Sequence, residues 1–277
     1  MSLPIALAAW RQWQTSVPLL SEPTVITALA PGTTNAAIKV AGNSAEGRHS
    51  FVIRYSDSRP GTRMTHFWGE RNNFALAAKH GLAPTLCYAH DASHTLVTEY
   101  IEHQPQAVTT DALAELMRRI HGLPYDGVTV NLYEQLQHTF HQAQTRGIPP
   151  DELIDPCSGG LTAALAVLKQ DEPRFCHNDL HPGNVLSNNG DLLVIDWEYA
   201  GAGSAYFDVA AAIDSWPTID PRQLLPRTLG ANFCSDLWAC AQAVYAAVEW
   251  NWYLAQGILP PLRCSLDQVT SKIALVK

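Results

Sequence analysis

At positions 176–186 the chain reads CHNDLHPGNVL, and a little further on it reads LLVIDWEYA. One carboxylate, Asp179, stands five positions before an amide, Asn184, and a second carboxylate, Asp196, closes an apolar run. Those residue types suit phosphoryl transfer. One group must orient a hydroxyl and accept its proton, while two oxygen donors hold Mg2+ against the phosphates of ATP. Asp179 is the candidate base, and Asn184 and Asp196 are the candidate metal ligands. An H-x-D triplet is common, and Asn, Asp, Gly and Pro cluster in ordinary turns. A turn, however, needs neither the second carboxylate nor the apolar strand that delivers it.

The spacing H-x-D-x-x-x-x-N followed by an I-D-W-E strand end resembles the aminoglycoside phosphotransferase and choline kinase superfamily. The likeness is densest over 175–213, and IDWEYAG at 195–201 is nearest in form to the choline kinase and thiamine kinase branches. The resemblance implies an α+β, bilobal, protein-kinase-like fold that uses ATP and Mg2+. A small antiparallel-sheet N-lobe over 1–101 would bind nucleotide. A larger, mainly helical C-lobe over 102–277 would carry the catalytic loop and the acceptor pocket. It further implies that His177 supports the loop structurally and that Asp208, in AYFDVA, braces it from the next helix.

In SFVIRYS, Arg54 takes the place of the family's phosphate-binding strand lysine, a departure that the choline and thiamine branches share. Guanidinium is a planar fork suited to phosphate oxygens, and Glu70 in the following helix is its natural ion-pair partner. Thr33, Thr34 and Asn35, after Gly32, offer backbone amides that could cradle phosphate. Glu99 and Ile101, either side of Tyr100, fall at the interlobe hinge, where backbone groups would meet adenine.

Acceptor candidates are more scattered. His181 lies two residues after the base. Glu198 is expected on a strand leaving the site, on the face of Asp196. In YAAVEWNWYLAQG, Glu249 and Tyr253 are an i, i+4 pair with Trp250 beside them. Aromatic faces with a carboxylate bind cations, although aromatics at helical spacing more often build core. Residues 1–101 carry a net charge of +2 and residues 102–277 a net −10. That split disfavours nucleic acid and would suit a cationic small-molecule acceptor, or simply keep the surface soluble.

The elements that must position these groups follow from periodicity. A short helix is expected over 4–16, strands over 25–30, 36–41 and 50–56, a helix over 67–80 ending at Gly81, and strands over 85–89 and 95–100. After a polar linker, helices are expected over 110–121, 130–145, 159–170, 208–215 and 233–255. No apolar run reaches membrane-spanning length, the N-terminus has no basic signal region, and six cysteines show no metal-ligand spacing. These features point to a cytoplasmic protein with reduced thiols and no membrane partner, and leave oligomeric state unread. The expectation is an ATP-dependent phosphotransferase acting on the hydroxyl of a choline- or thiamine-like alcohol. An aminoglycoside or sugar phosphotransferase is the alternative acceptor reading, and a nucleotide-binding pseudokinase or partner-binding module is the alternative of another class.

Overall fold

The computed structural model describes residues 2–29, 35–56, 67–104, 107–125, 127, 129–188, 190–261 and 263–276. In chain order come α1 (Ser2–Ala8), β1 (Thr24–Ala28), β2 (Asn35–Ser44), β3 (Gly47–Ser56), α2 (Phe67–Lys79), β4 (Leu86–His90) and β5 (Thr95–Glu99). Then follow α3 (Thr110–His121), α4 (Leu132–Thr145), α5 (Gly159–Leu168), β6 (Arg174–Cys176), β7 (Val185–Asn188), β8 (Asp191–Val194) and β9 (Gly201–Gly203). The chain ends with α6 (Ala205–Ser215), α7 (Pro221–Leu229), α8 (Ser235–Gln256) and α9 (Leu266–Ala274). Contacts divide the chain into two compact units, Met1–Ala107 with Gly183–Glu198, and Val108–Pro182 with Tyr199–Lys277. The division is not sequential, because the β7–β8 hairpin packs with the N-terminal unit. The fold is α+β, a sheet-based unit and a larger helical one.

The first unit is built on an antiparallel sheet in the order β1-β2-β3-β5-β4. A two-residue turn joins β2 to β3 in register Ser44↔Gly47, and Gly47 takes a φ of 129° that favours glycine there. Alternation along β3 sends Phe51 and Ile53 into a core with Trp13, Val40, Cys87 and Val97. Arg54 therefore projects from the opposite face. Helix α2 ends as expected at Gly81, whose φ is 67°. The next residue, Leu82, accepts the Val194 N–H at 2.7 Å and so ties the β7–β8 hairpin to this unit. Ser187 ties it again, donating its N–H to His103 Nδ1 at 3.0 Å and accepting from Gln104 N at 2.9 Å.

The second unit is organised around the 22-residue α8, against which α4, α5, α6 and α9 pack. Small residues on α8 (Ala241, Ala243, Ala246, Ala247) allow this close approach, and all are buried. Buried Asn251 donates to Ile154 O at 2.9 Å and accepts from Ile154 N at 3.0 Å. One amide side chain thus satisfies both backbone groups of a loop residue that water cannot reach.

Helices α7 and α9 and the short strands β6, β7 and β9 were not foreseen from periodicity. Each short strand spans too few residues for a period to register. The strand expected to carry Glu198 needs correction. β8 stops at Val194, Asp196 takes a left-handed φ of 65°, and Trp197–Tyr199 coils into a single 3-10 turn. Trp197 Nε1–H donates to Val194 O at 3.0 Å and ties the start of that turn to the end of β8. Glu198 consequently does not share a strand face with Asp196.

Candidate active site

Within the first unit the hairpin places the two candidate metal ligands side by side. The register Val185↔Val194 leaves Asn184 and Ile195 at its open end, where the Ile195 N–H donates to Asn184 O at 2.9 Å. Asn184 is 6% exposed and the Asp196 carboxylate 28%, so one side-chain amide and one carboxylate lie at the same end of the hairpin. Both are hard oxygen donors of the kind Mg2+ takes. Arg54 Nη1 donates to Asp196 Oδ1 at 2.9 Å, and the same guanidinium pairs with the buried Glu70 of α2. Strand β3, helix α2 and Asp196, just past the end of β8, thereby converge on one fork, an arrangement that fixes Arg54 more firmly than a lysine would be fixed. The left-handed backbone at Asp196 is uncommon outside glycine, and aspartate is one of the side chains that adopt it most readily.

Other nucleotide-side candidates lie along the same unit. Asn35 opens β2 opposite Ser56, while Thr33 and Thr34 lie outside the described residues. Glu99 closes β5, and its carboxylate accepts from Ser16 Oγ at 2.9 Å. Backbone bonds from Glu99 N to Thr85 O (3.0 Å) and Tyr100 N to Ser50 O (2.9 Å) hold the segment leading to Ile101. Lys39 Nζ sits 3.5 Å from the centroid of the Tyr100 ring, a cation–π contact that the sequence reading did not single out. Glu198 is buried on its 3-10 turn.

In the second unit, Asp208 organises the loop that carries Asp179. This fully buried carboxylate accepts from His177 N (3.2 Å), Asn178 N (2.8 Å) and His121 Nε2 (3.0 Å). An ionised carboxylate can only accept, so His121 holds its proton on Nε2. Burial alone would raise the Asp208 carboxyl, but the His121 bond and charge, followed by His177 and the Asn178 N–H, bring it below the ordinary range. The bonds pin Asn178 at a left-handed φ of 64°, and its side-chain amide donates to Tyr199 O at 3.0 Å. His177 is buried, and its Nδ1 accepts the Asp179 N–H at 3.3 Å. Asp179 itself is half-exposed, and His181 Nε2 lies 3.8 Å from its Oδ2, beyond direct hydrogen bonding.

The acceptor candidates on α8 divide. Trp250 Nε1–H donates to Glu152 O at 2.8 Å and the ring packs against the helical core, so it anchors the α4–α5 connection. Glu249, only 8% exposed, joins a cluster instead. Arg263 Nη2 donates to Glu249 Oε1 at 2.8 Å, Arg263 Nε donates to Asp214 Oδ2 at 2.8 Å, and Tyr253 bonds the same guanidinium. Burial, then the charge of Asp214, pushes the Glu249 carboxyl up to about 7, with Arg263 and Lys272 opposing. Burial also raises the Tyr245 hydroxyl, with the negative charges of Glu249, Asp214 and Asp179 adding to it and Ser215 bonding it. The acid cluster and the proposed base therefore act on one side chain. The sequence reading missed His121, Asp214 and Arg263. Only His121 left a signal, since it extends by i+4 the apolar stripe of Leu113 and Met117.

The raised Glu249 carboxyl has a thermodynamic consequence. Its folded value lies above the unfolded one, so its contribution is fully present below about 4.5 and is lost as pH rises through about 7. Glu249→Gln is expected to flatten the decline of melting temperature between pH 5 and pH 8 by a few degrees relative to wild type. Parallel wild-type and variant curves would show that Glu249 does not titrate in this window.

Residues 26–244 match the model of the phosphotransferase enzyme family. Ethanolamine kinase 2 of Mus musculus is 33% identical over 162 residues, 50% of this chain and 40% of that protein. Thiamine kinase of Shigella boydii serotype 4 is 26% identical over 181 residues, 61% of this chain and 63% of that protein. The chain's match thus spans less than two thirds of either relative's length. Among solved structures, choline kinase LicA from Streptococcus pneumoniae superposes with a TM-score of 0.67 at 16% identity, covering 90% of this chain and 94% of that one. At that identity the likeness is one of fold.

Proposed function

Since the chain belongs to the phosphotransferase enzyme family, we propose that this ATP-dependent small-molecule kinase phosphorylates the hydroxyl of a small cationic alcohol, choline- or thiamine-like. The observation that carries the acceptor reading is the Asp214–Glu249 acid pair, bordered by Tyr245 and Tyr253. A carboxylate pair flanked by tyrosine hydroxyls attracts a cation by charge. Tyr245 also feels the charge of Asp179, which supports placing the acceptor's cation near the base. The relatives named for ethanolamine and thiamine point the same way.

In this reading Asp179 holds the acceptor hydroxyl and takes its proton as the oxygen attacks the terminal phosphorus of ATP, while the bond from that phosphorus to the bridging oxygen breaks and ADP leaves. The donor set at Asn184 and Asp196 fits Mg2+, which when bound neutralises charge on the phosphate oxygens. Arg54, held by Glu70, is placed to contact phosphate. Thr33, Thr34, Asn35, Glu99 and Ile101 are assigned to the nucleotide, and His181 and Glu198 to the acceptor side. His177 and Asp208 hold the loop. Asp179, Asn184 and Asp196 all being present favours an active enzyme over a pseudokinase, which commonly lacks such a group.

A coupled ADP-release assay with thiamine, choline, ethanolamine and kanamycin tests the proposal. Turnover is expected with at least one of the first three, at kcat/KM at least about tenfold above kanamycin, which corresponds to ~1.4 kcal/mol. Preference for kanamycin would move the acceptor to the aminoglycosides. ADP release with none, and no ATP binding, would leave a partner-binding module in place of an enzyme.

A further inference from the structure

The acid pair that carries the acceptor reading already has a cation on it. Arg263 reaches from the segment 257–265, between α8 and α9, and bonds carboxylates on two different helices, Asp214 at the end of α6 and Glu249 on α8. Tyr253 takes a third bond from it. The burial is asymmetric. The side chains of Asp214 and Glu249 are 19% and 8% exposed, but that of Arg263 is 43% exposed. The guanidinium is thus the outer, more exposed member of the cluster, and the two carboxyl groups lie deeper. Its segment starts at Gly257, left-handed at φ 71°, carries Leu259 at 90% exposure, and ends at the Ser265–Gln268 capping box of α9.

We propose that Arg263 is a built-in occupant of the acceptor's cation subsite, and that a cationic acceptor binds by displacing its guanidinium from Asp214 and Glu249. The inference rests on the reading of the acceptor as cationic and adds the residue that sets its affinity. A guanidinium held by two charge-assisted bonds must be returned to water before an ammonium can take its place. Stripped of that guanidinium, the close pair is neutralised either by another cation or by a proton on Glu249, whose carboxyl burial already holds high beside Asp214. The ligand class is therefore a compact ammonium or thiazolium group that can sit against Tyr245 and Tyr253 and neutralise the pair. Arg263 screens out weakly held cations, since only a ligand that gains more than the guanidinium loses will bind.

The opposite account is that Arg263 is a strut, and the two accounts predict opposite signs. On displacement, Arg263→Met should bind tetramethylammonium about tenfold tighter than wild type in a calorimetric titration. Arg263→Lys, which keeps a charge but cannot fork across both carboxylates and Tyr253, should fall between. On the strut account both variants bind equally or more weakly, and that result overturns the proposal. Should the Met variant fail to fold, the Lys variant decides alone, with no tightening counting against displacement. The titration uses no acceptor alcohol and no ATP. A kinase that rejects every cationic alcohol would thus contradict the proposed function while Arg263 is still judged by its own curve.

Discussion

Asp179→Asn is expected to lower kcat by about 10²- to 10⁴-fold, with the dissociation constant for ATP within about threefold of wild type. The amide keeps the shape of the carboxylate but has no useful basicity. It could still position the acceptor hydroxyl, so the loss should fall on kcat more than on the acceptor's KM. The loop geometry should survive the change. Its backbone is held by Asp208 and by the His177 ring, through the amides of His177, Asn178 and Asp179, and not by the Asp179 side chain. ADP release measured with the best acceptor, beside calorimetric titration with ATP, separates the possibilities. A wild-type rate would remove Asp179 from the role of base, and parallel collapse of ATP binding would make it a structural residue.

The parts of the fold that were legible in the sequence are those with a repeating signal. Helix α3 declares itself because Leu113, Leu116, Met117 and Ile120 return at helical spacing, and all four are buried. Strands β2 and β3 are foreshadowed over 36–41 and 50–56, but both run on through the polar stretch between those ranges to a two-residue turn that composition alone reads as loop. The region around Asp196 was harder, because an apolar run of this length reads as one strand from 192 to 200. What breaks it is a single left-handed residue, and aspartate is among the few side chains that tolerate that backbone. Composition cannot announce such a break, so Glu198 was assigned the wrong local geometry.

The candidate site could be read from the sequence where its residues fall within one short stretch, and not where a cluster is assembled from distant ones. Asp179, Asn184 and Asp196 fall within eighteen residues and carry a recognisable spacing. The Asp214–Arg263–Glu249 cluster joins the end of one helix, the middle of another and a turn near the C-terminus. Nothing local to Arg263 marks it as a partner of buried acids. Trp250 shows the converse. Its neighbourhood looks like an aromatic binding wall, but its indole N–H is committed to Glu152 O and its ring to the core. Helical spacing gave the position of that side chain without its use.

Asp208→Ala is expected to be the most destabilising of the single changes considered, by about 3–5 kcal/mol, or roughly a 10 °C fall in melting temperature. The carboxylate is fully buried and accepts from three donors, the His177 and Asn178 amides and the His121 ring. Truncation strands all three where water does not reach, and an unmade bond there costs more than a made one contributes. It also releases the backbone that holds Asn178 left-handed, so kcat should fall at temperatures where the variant is still folded. Asp208→Asn keeps the volume but presents an NH2 group to at least one N–H donor, and should recover only part of the loss. The sign of the pH dependence checks the cause. The folded carboxyl lies below its ordinary value, so its contribution is present above about pH 4 and is lost as pH falls through the depressed value. The stability gap between wild type and Asp208→Ala, read from urea melts, should therefore be constant from pH 5 to pH 8 and narrow in stronger acid. A gap that held unchanged into strong acid would assign the loss to the cavity, and Asp208 would then be a packing residue, not the brace of the catalytic loop.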